Sequence, residues 1–167
     1  MKKLVSYITP LYFGLLSLSP LHAVEIDKVR TVATFVDEKG TYKDNGPVYG
    51  ECRNWNVVIA DEKSRKPIKE IVVTSVRVKG QKVLIITQKK PDPKKGKHTL
   101  VQVIDSSAHS ENGIDGIVDA AMKYDYNQIT GKMEQTVIDL NNPQLLDECQ
   151  EIYDLLADEL YDLIVNS

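Results

Sequence analysis

The stretch NNPQLLDECQEIYDLLADELYDLIVNS, residues 141–167, sets the fold class because its apolar residues recur at steps of three and four. This period is typical of one face of an amphipathic helix. Asn142 is placed to cap the helix, and Pro143 stands at the first helical position, where proline is favoured. The segment therefore predicts a long C-terminal helix. Its apolar stripe comprises Leu145, Leu146, Cys149, Ile152, Tyr153, Leu156, Leu160, Leu163 and Ile164.

The other face of this predicted helix is acidic. Asp139–Ser167 holds eight acids and no base, whereas Glu62–Lys97 holds twelve lysines and arginines against three acids. The charge is therefore polarised along the chain, and the two segments either pair with one another in the fold or contact partners. The acids of the helix are Asp147, Glu148, Glu151, Asp154, Asp158, Glu159 and Asp162.

Strand patterns precede the helix. IKEIVVTSVRVKGQKVLIITQKK, residues 68–90, consists of two apolar runs separated by KGQ (79–81), which predicts a hairpin. NWNVVIAD (54–61) and HTLVQVIDSS (98–107) predict one strand each. Nearer the N-terminus, the alternation and β-branched residues of VRTVATFV predict a strand over Ile26–Val36. We expect the following EKGTYKDNGPVYG to be a turn-rich connection.

Acidic residues near a glycine in SENGIDGIVDAAMKYDYNQITGKMEQ, residues 110–135, invite comparison with a calcium loop. An EF-hand loop requires oxygen ligands at alternate positions and a glutamate at the twelfth. Aligning Gly116 with the loop glycine puts Met122 at the twelfth position, so the match is poor. The sequence predicts no metal site, and the weak candidate ligands are Glu111, Asp115 and Asp119.

The same segment is better explained as a turn followed by a hairpin. NG and DG are turn dipeptides, and the residues after them form two strand-like runs joined near Thr130-Gly131. Residues 117–125 could alternatively form a short helix, which Ala120 and Ala121 favour. Together these patterns predict an α+β fold: an antiparallel sheet of about five to seven strands with one long C-terminal amphipathic helix packed on one face.

The N-terminal residues 1–23 have the pattern of a secretory signal. Lys2 and Lys3 precede an apolar run, and the segment ends at the small residue Ala23. We therefore expect an exported protein, periplasmic or extracellular, with one α+β domain over 24–167 and no transmembrane segment in the mature chain. Removal of the two lysines would change the net charge from −3 to −5, which argues against general nucleic-acid binding.

Both cysteines, Cys52 and Cys149, lie in the predicted mature chain. Thiols pair in the oxidising compartments that exported proteins reach. We therefore predict a disulfide between them that ties the C-terminal helix to the second strand.

A lysine-rich segment, KKPDPKKGK (89–97), lies between two predicted strands. We expect its prolines, Pro91 and Pro93, to end both strands and leave a soluble loop. An alternative is a contact surface for an anionic partner such as lipid head groups. The residues of that contact would be Lys89, Lys90, Lys94, Lys95 and Lys97.

No catalytic or cofactor-binding motif stands in the sequence. It contains no phosphate-binding glycine loop, no HExxH and no G-x-S-x-G. The serines beside His109 do not make a nucleophile and base, because these groups must meet in space with an orienting acid. We therefore predict no cofactor and no catalytic residues, and a non-catalytic domain that binds a protein or an envelope component. The alternatives are a small exported hydrolase whose site is assembled only by the fold and a structural protein that binds calcium weakly.

Overall fold

The computed structural model describes residues 21–44, 51–61, 63–92, 97–106, 113–127 and 129–167. Seven strands form one antiparallel sheet in which each strand pairs with its neighbours in chain order. Two helices of the described chain pack against this sheet, so the predicted α+β class is confirmed, and the seven strands fall within the predicted five to seven. The elements are α1 (Leu21–Lys39), β1 (Thr41–Asp44), β2 (Glu51–Ala60), β3 (Pro67–Val78), β4 (Gln81–Asp92), β5 (Lys97–Asp105), β6 (Ala120–Asn127), β7 (Lys132–Val137) and α2 (Pro143–Val165).

Both predicted hairpins are confirmed. Val78 pairs with Gln81 across a two-residue turn. Lys79 has φ 51° and Gly80 has φ 84°, and positive φ at both turn positions matches the twist of the flanking strands. β6 and β7 form the second hairpin, so the alternative of a helix over 117–125 is wrong.

The C-terminal helix α2 forms as its sequence predicts. Asn142 accepts a hydrogen bond from the backbone N–H of Gln144, and Pro143 occupies the first turn. Such a cap satisfies a donor that the helix itself leaves without a partner. The helix buries Cys149, Tyr153, Leu156, Ala157 and Leu160.

The strand predicted over Ile26–Val36 is wrong, because these residues lie in helix α1. Val29, Val32, Ala33 and Val36 are buried in the core. Their spacing is that of a helical stripe, and packing against α2 and the sheet overrides the β-propensity of valine and threonine. The described part of the chain therefore contains two helices where the sequence predicted one.

Two connections also differ from the prediction. The stretch predicted as a turn-rich connection contains the short strand β1, which pairs with β2. In the lysine-rich segment, β4 continues to Asp92, and Pro91 and Asp92 pair with His98 and Lys97 of β5. Pro91 therefore does not end regular pairing, while residues 93–96, including Pro93, lie outside the described part of the chain.

Within the described ranges, both helices lie on the same face of the sheet, here called the helix face. Side chains alternate between the two faces of a strand, so the register separates the residues of each face. Phe35 of α1 packs on Trp55 of β2, with ring centroids 4.7 Å apart. The strands contribute Ile71, Val73, Leu84, Ile86, Val103 and Ala121 to the core between sheet and helices.

The cysteines lie on different sides of this sheet. Cys52 pairs with Val76 of β3. Val76 is an odd number of residues from the core residue Val73, so the side chains of Val76 and Cys52 both point away from the helix face. Cys149 belongs to the core on the helix face. Both residues are described, and the structure contains no bond between their sulfurs. The predicted disulfide is therefore absent, since the alternation of β2 points Cys52 away from α2.

Candidate functional site

A buried carboxylate joins the end of β5 to α2 and to the loop before β6. Asp105 has no exposed surface. Its Oδ2 accepts hydrogen bonds from the Tyr153 hydroxyl at 2.6 Å and the Gly116 backbone N–H at 2.9 Å. Its Oδ1 accepts a third, from the Asp115 N–H at 3.2 Å. Three elements therefore converge on one acceptor group.

Gln150 of α2 also forms hydrogen bonds with the loop before β6. Its Nε2 donates to the Gly116 carbonyl at 2.7 Å, and its Oε1 accepts from the Val118 N–H at 3.0 Å. Gly116 has φ +86°, and an added Cβ would lie 3.3 Å from Ile26 of α1. Glycine is therefore required here both by the backbone conformation and by the approach of α1.

Burial raises the pKa of Asp105 to about 6, and the hydrogen bonds from Tyr153 and Gly116 only partly oppose this rise. Burial and then the Asp105 charge raise the pKa of Tyr153 well above its usual 10. A raised carboxyl pKa is also found in active sites. Here the group is enclosed and its oxygens accept hydrogen bonds from the chain itself, so the pair fastens α2 to the loop rather than facing a substrate.

The stability of the protein should depend on the ionisation of Asp105. Because its folded pKa of about 6 exceeds the ordinary value of 3.8, its contribution is full below pH 3.8 and is lost as pH rises through 6. Between pH 4 and pH 7 the wild type should therefore lose about 2 kcal/mol of unfolding free energy relative to Asp105→Asn. Urea titrations of both proteins at the two pH values measure this difference. Parallel pH dependence in the two proteins would contradict it.

Asp115 and Asp119, two of the weak candidate calcium ligands, accept hydrogen bonds from the chain itself. Asp115 accepts a hydrogen bond from the Ile117 N–H at 3.0 Å, and Asp119 accepts from the N–H and hydroxyl of Ser106. Glu111 lies outside the described residues. In the described part of the chain, no three His, Cys, Asp or Glu side chains are grouped as metal ligands would be.

The lysine candidates are not brought together as a described patch. Lys89 forms an ion pair with Glu70 of β3 at 3.0 Å. Lys90 and Lys97 lie at the paired ends of β4 and β5, and Lys94 and Lys95 lie outside the described residues. Contact of these lysines with an anionic partner stays a prediction.

The exposed side of α2 forms a surface that we call the acidic ridge. Leu155, 62% exposed, stands at its centre with carboxylates on both sides. Spacings of three and four residues align its acids on one helical stripe, beside which Leu155 and Leu163 lie, and the ridge is about 24 Å long. The ridge comprises Asp147, Glu151, Asp154, Leu155, Asp158, Asp162 and Leu163.

Two grooves border the ridge and share Leu155 as a wall. One, of about 820 Å³, lies between the C-terminal half of α2 and Ile59 and Lys69 of the sheet. The other, of about 390 Å³, is shallower and runs along the helix from Asp147 to Asp158. Leu155 is therefore an exposed apolar contact between two grooves, on a surface that is otherwise acidic.

Part of the acidic charge is neutralised within the fold. Asp158 binds Lys28 of α1 at 2.6 Å, which raises the pKa of that lysine. Glu159 pairs with Lys69 of β3. The acidic helix and the basic middle of the chain therefore do face one another, but only in part. Among the described residues, Asp147, Glu151 and Asp162 form no ion pair and keep the ridge negative.

The sheet face opposite the helices, here called the open face, is mostly apolar. Its central residues alternate with the core residues of the same strands. Thr87 of β4 is near its centre and accepts a hydrogen bond from Gln102 at 3.2 Å. The apolar residues of this face include Val58, Ile68, Val72, Val83, Ile85, Leu100, Ile104, Met122, Tyr124, Tyr126, Met133 and Val137.

These elements define an α+β protein with one layer of helices, an acidic ridge on that layer and an apolar sheet face behind it. Comparison of the chain with protein-family models, with curated proteins and with solved structures gave no match. None of the helices in the described ranges combines the length and the apolar character needed to cross a membrane.

Proposed function

We propose that this chain is an exported, non-catalytic binding domain whose acidic ridge contacts a basic, partly apolar segment of a protein or other envelope component. Export rests on the signal-like pattern of residues 1–23. The observation that carries the binding role is Leu155, exposed between two grooves and surrounded by carboxylates.

Charge gives the ridge its selectivity. Helix α2 contains seven acids and no base, and in the described part of the chain Lys28 and Lys69 each form an ion pair with one of these acids. A partner with spaced lysines or arginines would meet complementary charge and associate faster at low salt. An acidic or lipid-phosphate surface would be repelled by the same residues.

Apolar contact gives the ridge an anchor. Leu155 and Leu163 are eight residues apart, about two helical turns, and are 62% and 41% exposed. Apolar side chains of a partner at matching spacing could enter the two grooves beside them. Helices commonly bind in grooves through such anchors.

Binding should therefore require both the carboxylates and the leucine. A synthetic helical peptide of lysine and leucine is the probe, and the same peptide with glutamine for lysine is its control. At physiological salt the double variant Glu151→Gln and Asp162→Asn should bind the lysine peptide about five-fold more weakly, because exposed charges each contribute up to about 0.5 kcal/mol. Leu155→Ser should weaken binding to a similar extent.

Asp125→Asn serves as the matched control, since Asp125 is an exposed acid on β6 and does not belong to the acidic ridge. Its affinity for the lysine peptide should equal that of the wild type. Isothermal titration at two salt concentrations gives all the affinities. Equal binding of the two peptides, or wild-type affinity in the ridge variants, would refute the proposed contact surface.

A further inference from the structure

We infer that a second copy of this chain covers the open face, so that two sheets pack face to face with the helices on the outside. This surface lies on the opposite side of the sheet from the acidic ridge, so the inference does not depend on the proposed function. It concerns the residues of β2–β7 that point away from α1 and α2.

The strand pattern indicates a second covering layer. An antiparallel sheet that exposes one face to water usually alternates apolar and polar residues. Here IVV (71–73) and VLII (83–86) are apolar at successive positions, so both faces of β3 and β4 carry aliphatic side chains. The core on the helix face accounts for Ile71, Val73, Leu84 and Ile86 only. Continuous apolar runs are typical of strands that are covered on both sides.

The charge of the open face fits a copy of itself. Its charged residues in the described strands are Glu70 and Lys89, which pair with each other at 3.0 Å, and Lys43 at the β1 edge. A face whose charges are mutually neutralised does not repel an identical face. It also offers little to select a strongly charged partner, in contrast to the acidic ridge.

The dimensions of the face match a stable interface. The six strands β2–β7, each about 4.8 Å wide, span about 29 Å, and a common length of about eight residues gives about 27 Å along the strands. The product is close to 800 Å² per copy, about the area that each partner contributes to a standard interface. Two sheets of this size can pack about 10 Å apart as in a sandwich.

The rim of the face is also apolar. Val58 and Ile68 are 58% and 51% exposed at one end of β2 and β3, and Val137 is 71% exposed on β7. Large exposed apolar patches are typical of interaction surfaces. With the central apolar residues, these side chains form a patch that neutral polar groups interrupt. Those groups are Asn54, Asn56, Thr74, Gln102 and Gln135, and Cys52 and Val76 on the same face are already buried within the chain.

Molar mass in solution tests the inference. Sedimentation analysis of the wild type over roughly 1 to 100 μM should give twice the mass of one chain. Thr87→Lys introduces a charge near the centre of the interface and should give the mass of a single chain, because burying an unpaired ammonium is costly. Val165→Lys, at an exposed position of α2, should remain dimeric.

A second variant is a control in case Thr87→Lys does not fold. Val137→Lys lies at an exposed position and should shift the dimer dissociation constant at least ten-fold while circular dichroism stays unchanged. A Thr87→Cys variant should form a covalent dimer under mild oxidation, whereas Val165→Cys should not. A wild type that stays monomeric up to 100 μM would overturn the inference, as would a dimer unaffected by both lysines on the open face.

Discussion

At pH 5, below the folded pKa of about 6, replacing Asp105 by alanine is expected to lower the free energy of unfolding by about 3 to 5 kcal/mol. The substitution removes the acceptor of three hydrogen bonds, from the Tyr153 hydroxyl and the Gly116 and Asp115 N–H groups. Each buried donor left without a partner costs about 1 to 3 kcal/mol. Since small domains are stable by only about 5 to 15 kcal/mol, this is a large fraction of the total.

The same site provides graded controls for that measurement. Tyr153→Phe removes one donor and leaves the two backbone N–H groups paired, so a loss of about 2 kcal/mol is expected. Asp125→Ala, at an exposed aspartate, should change stability by less than about 1 kcal/mol. Chemical denaturation of the three variants and the wild type compares them. An Asp105→Ala loss no larger than that of Asp125→Ala would show that the buried network contributes nothing net.

Sequence periodicity predicted the elements whose pattern is unambiguous. The β3–β4 hairpin has two apolar runs and a glycine at the turn, and α2 has a cap, an N-terminal proline and a long stripe. In both, local propensity and tertiary packing favour the same structure, which is the condition under which such predictions succeed. The β3–β4 hairpin and the C-terminal helix were therefore predictable, whereas the pattern of residues 117–125 left strand and helix both open.

Helix α1 was not predicted because its sequence satisfies two periods at once. VRTVATFV is rich in β-branched residues, which favours a strand, yet Val29, Val32, Ala33 and Val36 also form a helical stripe. Packing against α2 and the sheet selects the helix over the strand. The sequence of this segment alone does not show which elements it will pack against. The position of Cys52 was missed for a related reason, because the face it occupies depends on the register of β2 with β3.

The candidate sites differ in how far the sequence could reveal them. Asp105 follows Val101 and Val103 at two-residue steps, so the alternation of β5 already places it on the core face. Its donors, Gly116 and Tyr153, are 11 and 48 residues away and could not be assigned without the fold. The acids of the ridge were visible in the helix pattern. The exposure of Leu155 and the two grooves beside it were not, because they depend on where α2 rests on the sheet.

Replacing Leu156 by alanine is expected to cost about 2 to 5 kcal/mol, whereas the same change at the adjacent Leu155 should cost less than about 0.5 kcal/mol. Leu156 is fully buried in the core between α1, α2 and the sheet, and Leu155 is 62% exposed. Helix propensity changes equally in the two variants and slightly favours alanine. The difference between them therefore measures packing alone.

Urea denaturation provides the comparison, since a shift in midpoint at constant slope reports stability without a change in the folded or unfolded ensemble. Adjacent positions in a helix are separated by about 100° of rotation, so the two leucines test how α2 is oriented on the sheet. Equal losses at both positions would contradict the described orientation. If Leu155→Ala keeps its stability but loses affinity for the lysine peptide, the exposed leucine acts in binding while its buried neighbour holds the helix that presents it.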